Sequence, residues 1–367
     1  MGINKRFAEV REKLERDALN KADFGEDILP RISQGVVIPI ISNSFQIEQI
    51  FREGTEETSG DEESLTTMEL LTSEWANWIE YPMHDKHNLA RVAQYYLVEQ
   101  KDNPEARTRY LEFLKTFLLT IAYDDPEYAD VVTRLKAQVR EQCFSEVAHQ
   151  LDYPRLPPGT EDSLRLLARF PLPIFITTSC SDFLERALEA EGKKPHTQIC
   201  FWSGIISGAK AEHRIDIDFI PSITTPLVYH LYGLEDYPQT LVLSEDDYIN
   251  FLISITEDTN MLNPVVPLSL RRALGESHLL LLGYRLQDWD FRVLFRYILK
   301  FRRDEFSPRG MLIQLKPGKK DIENTEKSIE YLKHYFERKK FDIVWNNSES
   351  FIQKLWNDWN AYRQSQS

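Results

Sequence analysis

The sequence predicts an α/β fold, a doubly wound and mostly parallel Rossmann-like sheet with an all-helical insertion. Three observations predict it. Short, continuous apolar runs recur along the chain, as strands buried on both faces of a parallel sheet require. Helical patterns sit between the later runs. Between about residues 60 and 155 the alternation stops and only helical spacing remains.

The first strand is expected over residues 35–41, GVVIPII. Further strands are expected at 173–178, 197–202, 226–232, 239–244, 279–284, 311–315 and 341–345. The helices between them are read from SDFLERALEAEG, DYINFLISITE, LSLRRALGES, DFRVLFRYILKFRR and TEKSIEYLKHYFERKK, and a closing amphipathic helix from the pattern Glu349 to Trp359. In the insertion, four stretches carry helical spacing: SLTTMELLTSEWANWIEY, NLARVAQYYLVEQK, EARTRYLEFLKTFLLTIAY and YADVVTRLKAQVREQCFSEVAHQL. Their aromatic stripe (Trp75, Trp78, Tyr81, Tyr95, Tyr96, Tyr110, Phe113, Phe117) is read as helix–helix core rather than a ligand box. The acidic segment FREGTEETSGDEESLTT reads as a surface loop leading into it. The expected organisation is therefore 1–60 as N-terminal helix, first strand and turn, 61–155 as insertion, and 156–367 as the rest of the sheet domain.

Composition narrows the function classes. The 367 residues hold 58 acidic against 44 basic side chains, a net charge of −14, which disfavours nucleic acid as a direct partner. The three cysteines, Cys143, Cys180 and Cys200, form no CxxC pair, so neither a structural zinc site nor a disulfide framework is expected. Free thiols in an acidic chain point to a reducing cytoplasm. The N-terminal stretch MGINKRFAEVREKLERDALNK is charged and helical rather than a secretion signal, and Arg6 stands where a myristoylation signal needs Ser or Thr. No apolar run approaches the roughly 20 residues that span a bilayer, so no membrane association is expected.

Four constellations carry chemistry. In a doubly wound sheet the turn after the first strand cradles a pyrophosphate against a helix N-terminus. This chain has Ser42-Asn43-Ser44-Phe45 there, which reads as a modified phosphate loop with hydroxyl donors and as a helix N-cap before FQIEQIF, two roles that can hold at once. The second is Thr177-Thr178-Ser179-Cys180-Ser181-Asp182, whose Ser179, Ser181 or Asp182 also suits a cap. The third is Tyr229-His230-Leu231-Tyr232-Gly233. The fourth is Gly283-Tyr284-Arg285-Leu286-Gln287-Asp288, where Arg285 suits either an anionic ligand or an ion pair with Asp288 or Asp290.

The blocks PIFITTSCSDFLERAL, PLVYHLYGLEDYPQTLVLSEDDY and LLLLGYRLQDWDFRVLF, in this order, resemble the bacterial sirtuin-like domains that degrade NAD during phage defence. The resemblance spans about residues 30–60 and 165–350. It implies a site for NAD or a related nucleotide, with no metal, at Ser42, Asn43, Ser44, Thr177, Ser179, Tyr232, Gly283, Arg285 and Asp288. Within LVLSEDDY, Asp247 and Tyr248 match the family pattern and read as architectural.

Four positions depart from the family. A GAG-type loop is replaced by Ser42-Asn43-Ser44. Ser179 stands where TTNYD has its asparagine, with one short hydroxyl in place of an amide. Tyr232 stands at the histidine of the strand-ending His-Gly, and a tyrosine with a pKa near ~10 is a poor base at neutrality. Arg285 replaces a serine. His230, two residues before Tyr232, is either a displaced stand-in base or a buried histidine on a sheet face. Because these departures meet at one crevice, the expectation is a catalytically degenerate module of an anti-phage defence or conflict-signalling system. It would act through ligand sensing or assembly, with itself or with other proteins of that system. The alternative is an active NAD glycohydrolase that depletes NAD on infection.

Overall fold

The computed structural model describes residues 23–51, 66–101, 103, 105–157, 159–204, 213, 216, 218–257, 265–285, 289–302, 307–314 and 325–366. The expected N-terminal helix over 1–21, most of the acidic loop, and Asp288 lie outside them.

Seven strands form one sheet: β1 (Val37–Ile41), β2 (Ile174–Thr177), β3 (His196–Ile199), β4 (Leu227–His230), β5 (His278–Leu282), β6 (Gly310–Gln314) and β7 (Phe341–Trp345). Their order is β3-β4-β2-β1-β5-β6-β7, and every neighbouring pair is parallel. This is the α/β Rossmann-like class the apolar runs predicted. All five residues of β1 are buried. Ile38 and Ile40 point into one core and Val37 and Ile41 into the other, as the period of two demands.

Pro39 sits inside this central strand, where a missing N–H is ordinarily excluded. Even-numbered residues of the strand bond towards β5, with His278 N donating to Val36 O and Ser42 N to Leu282 O. Pro39 therefore faces the β2 side, and pairing with β2 is confined to Ile40 and Ile41.

Helices cover both faces. One face carries α1 (Asp23–Ser33), α8 (Ser163–Arg169), α9 (Phe183–Ala190) and α14 (Ser348–Gln366). The other carries α10 (Glu245–Glu257), α11 (Leu268–Glu276), α12 (Trp289–Phe301) and α13 (Thr325–Glu337). The helix after β1 is α2 (Asn43–Ile50). The aromatic residues of α14 are not left free, since Trp356 and Trp359 pack on Phe170.

Between α2 and α8 lie five helices: α3 (Thr67–Trp78), α4 (Leu89–Glu99), α5 (Ala106–Tyr123), α6 (Ala129–Gln138) and α7 (Phe144–Gln150). They share a third core with Ile47, Ile50 and Phe51 of α2, with Phe183 at the start of α9, and with Leu243. All of these sheet-domain residues follow the C-terminal ends of strands, so the helical layer lies over that edge. Polar tethers fasten it. Arg107 pairs with Asp247 at 2.5 Å, Arg91 with Glu245 at 3.1 Å, and Gln94 donates to Asp246. Asp247 also accepts from Leu243 N and Ser244 N while Ser244 Oγ accepts from Asp247 N, so it caps α10 and anchors the insertion together.

The strand expected at 239–244 is absent. Pro238–Thr240 is a 3₁₀ turn, and Val242 N donates to Tyr232 O just beyond β4. A new parallel strand needs a crossover of about a dozen residues or more, and the short stretch after β4 cannot supply one. Instead the chain folds back over Gly233, which has φ +89°. A Cβ there would collide with the Thr240 carbonyl and hydroxyl.

Gly233→Ala should therefore lower stability by about 2–4 kcal/mol, from a strained φ combined with overpacking. Chemical denaturation of the variant against the parent chain measures it.

Candidate functional site

The four constellations follow β1, β2, β4 and β5, which are consecutive in the sheet order β4-β2-β1-β5. All four turns therefore share one carboxyl edge, and the order of connections reverses about β1. That is where open α/β sheets bind ligands. The structure brings Ser42, Asn43, Thr177, Ser179 and Gly283 into one hydrogen-bonded group, and Ser44 lies in the first turn of α2 beside it.

Ser42 is the N-cap of α2. Its Oγ accepts from Phe45 N at 3.0 Å and donates to Gly283 O at 2.7 Å. Asn43 N donates to Thr178 Oγ1 at 3.1 Å. Two first-turn N–H groups that a phosphate would use are thus satisfied by the chain's own hydroxyls. Gly283, with φ +75°, is covered as well: Ser42 Oγ and Phe45 Cβ both lie 2.5 Å from where a Cβ would stand. In this arrangement the edge does not offer a pyrophosphate a cradle. The N-cap reading of Ser42 describes this geometry.

In the second turn, Thr177 Oγ1 donates to Ile41 O and accepts from Ser179 N. Ser179 is fully buried, and its hydroxyl pairs with Ser181 Oγ at 2.9 Å. Ser181 Oγ in turn donates to Gln46 Oε1 on α2.

His230 ends β4 and is fully buried. Its Nδ1 lies 3.0 Å from Ser179 O and its Nε2 lies 2.7 Å from Glu185 Oε1. A carbonyl and a carboxylate can only accept, so the ring satisfies both by carrying both protons. Burial opposes that charge, but the Glu185 carboxylate outweighs it and raises the His230 pKa above the ordinary imidazole value. Glu185 Oε1 also accepts from Thr197 Oγ1 at 2.8 Å. Both ring nitrogens are engaged by groups of the protein itself. The geometry is that of a buried ion pair holding β4, β2 and α9 together, and not that of the displaced base weighed from sequence.

The ring contacts of Tyr232 lie in the core. Its ring packs edge-on against Tyr248 and Phe251, with centroids 5.5 and 5.1 Å away, in the core under α10. Arg285, whose expected partners Asp288 and Asp290 have side chains outside the described residues, has a described contact elsewhere. It donates to Glu69 on α3 at 3.2 Å. Burial alone would raise the Glu69 pKa, but the Thr66 N–H and the Arg285 charge outweigh it and hold the carboxyl below its usual range. Arg285 thus joins the β5 turn to the insertion.

Sequence reading missed Glu235. It is buried, its Oε2 accepts from Phe144 N at 2.6 Å, and its own N–H donates to Cys180 O. It caps α7 from across the sheet domain. Burial pushes its pKa up to about 8, against the pull of the Phe144 N–H. Only tertiary contact reveals this, because Glu235 sits in an unremarkable turn, LEDYP. The thiols nearby are inert: burial pushes Cys180 up to about 12 and Cys143 up to about 11. Among the described residues no group of three or more His, Cys, Asp or Glu side chains is placed to hold a metal ion. No helix among them is long and apolar enough to cross a membrane.

Both raised groups carry the same pH sign. A raised folded-state pKa gives stability that is full below the unfolded pKa and lost as pH rises through the folded one. Glu235 loses its contribution between about pH 4.5 and 8, and His230 from about 6.5 upward. The melting temperature should fall across pH 5 to 8.5, and Glu235→Gln should flatten the lower part of that slope. His230→Ala should destabilise by about 3–5 kcal/mol, because it strands the Glu185 carboxylate. Melting curves across the pH range for the three proteins check both statements.

Residues 173–340 match a family model described as a SIR2-like domain. The match runs from the start of β2 through α13, so it includes the turns after β2, β4 and β5 and leaves β1 and the insertion outside. Comparison of the chain with curated proteins gives no significant match. With the parallel sheet and the shared strand-end crevice, the match supports a sirtuin-like family, and so an NAD-binding fold, for residues 173–340.

Proposed function

We propose that the chain is a catalytically degenerate SIR2-like module that acts through ligand sensing or protein assembly rather than NAD hydrolysis. The observation that carries this reading is the use of the α2 first-turn donors and of the Gly283 cradle by Ser42, Phe45 and Thr178. The locked His230 supports it, since both of its ring nitrogens are engaged within the protein. The setting in a bacterial anti-phage defence or conflict-signalling system rests on the resemblance of the three sequence blocks. Assembly is supported by apolar side chains on the helical layer, among them Trp78, Val98 and Tyr123, each more than half exposed. NAD glycohydrolase activity is the rival reading. It requires Ser42, Phe45 and the insertion to move from the crevice.

The purified chain, alone and in lysate from phage-infected cells, should release no nicotinamide from NAD above the level of a Tyr232→Phe/His230→Ala variant. Release that disappears in that variant would establish an enzyme instead. Light scattering over a concentration series reports the assembly, and a chain monomeric alone and in such lysate would remove that part of the reading.

A further inference from the structure

Two helices on one face of the sheet turn apolar side chains outward. On α10, Ile249 and Ile253 are 48% and 47% exposed, one helical turn apart. On α13, Tyr331 and Tyr335 are 66% and 43% exposed, and their rings stack with centroids 6.3 Å apart. Between the two helices lies α12, which touches α10 through Tyr297 on Phe251 and α13 through Phe295 on Phe336. The width of α12 keeps the two stripes of one molecule from meeting.

Charge frames each stripe, with opposite sign. On α10 the outward face runs through Asp246, Ile249, Ile253 and Glu257, all exposed. Asp246 is bonded to the neutral Gln94, whereas Glu245 beside it is paired with Arg91. At the other end Lys300 donates to the carbonyls of Ile255 and Thr256. On α13 the outward face runs through Lys327, Tyr331, His334, Tyr335 and Arg338, all exposed. Arg338 follows the last helical residue, and its N–H still donates to His334 O. Lys333 and Glu337 pair with each other at 3.8 Å away from this face, and Glu330 lies at its margin.

The two frames have the same length. Lys327 and Arg338 stand eleven residues apart, as do Asp246 and Glu257, which is about 16 Å along a helix. Antiparallel packing of α13 on α10 sets Arg338 against Asp246 and Lys327 against Glu257, with the tyrosines over the isoleucines between them. Packing α13 on α13 would oppose cations with cations, and α10 on α10 acids with acids, so a symmetric contact is disfavoured. A foreign acidic partner would engage the α13 stripe alone and leave the isoleucines of α10 in water. A second copy of this chain uses both stripes. We infer that α13 of one molecule docks on α10 of the next, head to tail. Such a contact repeats, and it closes a ring or extends a fibre according to the rotation it imposes. The inference rests on the self-assembly part of the proposed function and puts the contact on the sheet domain, not on Trp78, Val98 and Tyr123 of the insertion.

Sedimentation velocity of the full chain over a concentration series, at low and at high salt, tests it. The variants are Tyr331→Ala/Tyr335→Ala on α13 and Ile249→Ala/Ile253→Ala on α10. The parent mass should rise with concentration and fall with added salt. Either variant should need about tenfold more protein, or beyond, to reach the same mass, the loss expected when two apolar side chains leave a contact. All four side chains are exposed and alanine suits a helix, so both variants should melt near the parent temperature. Mixed together, the two variants should form a one-to-one pair and nothing larger, because each keeps the stripe that the other lacks. That pairing also shows the remaining stripe of each variant to be folded. Parent-like assembly of both variants, or a mixture that does not pair, overturns the head-to-tail contact and leaves self-assembly through another surface standing. A parent that stays monomeric at every concentration overturns the contact and self-assembly together, and leaves only assembly with other proteins.

Discussion

Parallel strands and the helices that follow them leave backbone N–H groups unpaired at one edge of the sheet, and the rest of this structure depends on how those donors are satisfied. In a nucleotide-binding protein the ligand completes them. Here Thr178 and Ser42 take up two of them, Asn43 N and Phe45 N, and Ser42 Oγ closes a second bond to Gly283 O. One hydroxyl thereby caps a helix, covers a glycine and joins the β1 turn to the β5 turn. A GAG-type loop has no side chain able to do this.

The remaining strand ends are closed by the same logic. His230 links the β4 end to the β2 turn and, through Glu185, to α9 and β3. With both ring nitrogens bonded, His230 is a cross-link between elements. Glu235 and Arg285 then extend the network into the insertion, one by capping α7 and the other by pairing with Glu69. Ser42, Ser179, His230 and Arg285 each make contacts within the protein. Catalysis needs groups that are held but unpaired until substrate arrives.

Much of the fold was legible in the sequence, because a strand buried on both faces leaves a continuous apolar run. GVVIPII, PIFITT and LLLLGY became β1, β2 and β5 with boundaries within a few residues. QTLVLS carried the same signal and is not a strand, since burial alone does not distinguish a strand from a loop pressed under a helical layer. The length of the connection did hold that information. The meeting of four turns at one edge was also readable, from motif order. What those turns do there was not. His230 could be listed as base or core residue from its position, but its role is set by Glu185, far along the chain. Arg285 has Asp288 and Asp290 nearby in sequence, but its pairing with Glu69 depends on the insertion and has no local signal. Glu235 gave no signal at all, because a buried cap donated from another part of the fold has no local pattern.

The most direct measurement is hydrogen–deuterium exchange at the backbone amides of Asn43 and Phe45, with and without saturating NAD. If the strand-end donors are satisfied internally, both amides exchange slowly and NAD leaves their rates unchanged. Fast exchange that becomes protected on adding NAD would mean that the donors are free and that the crevice is a working nucleotide site.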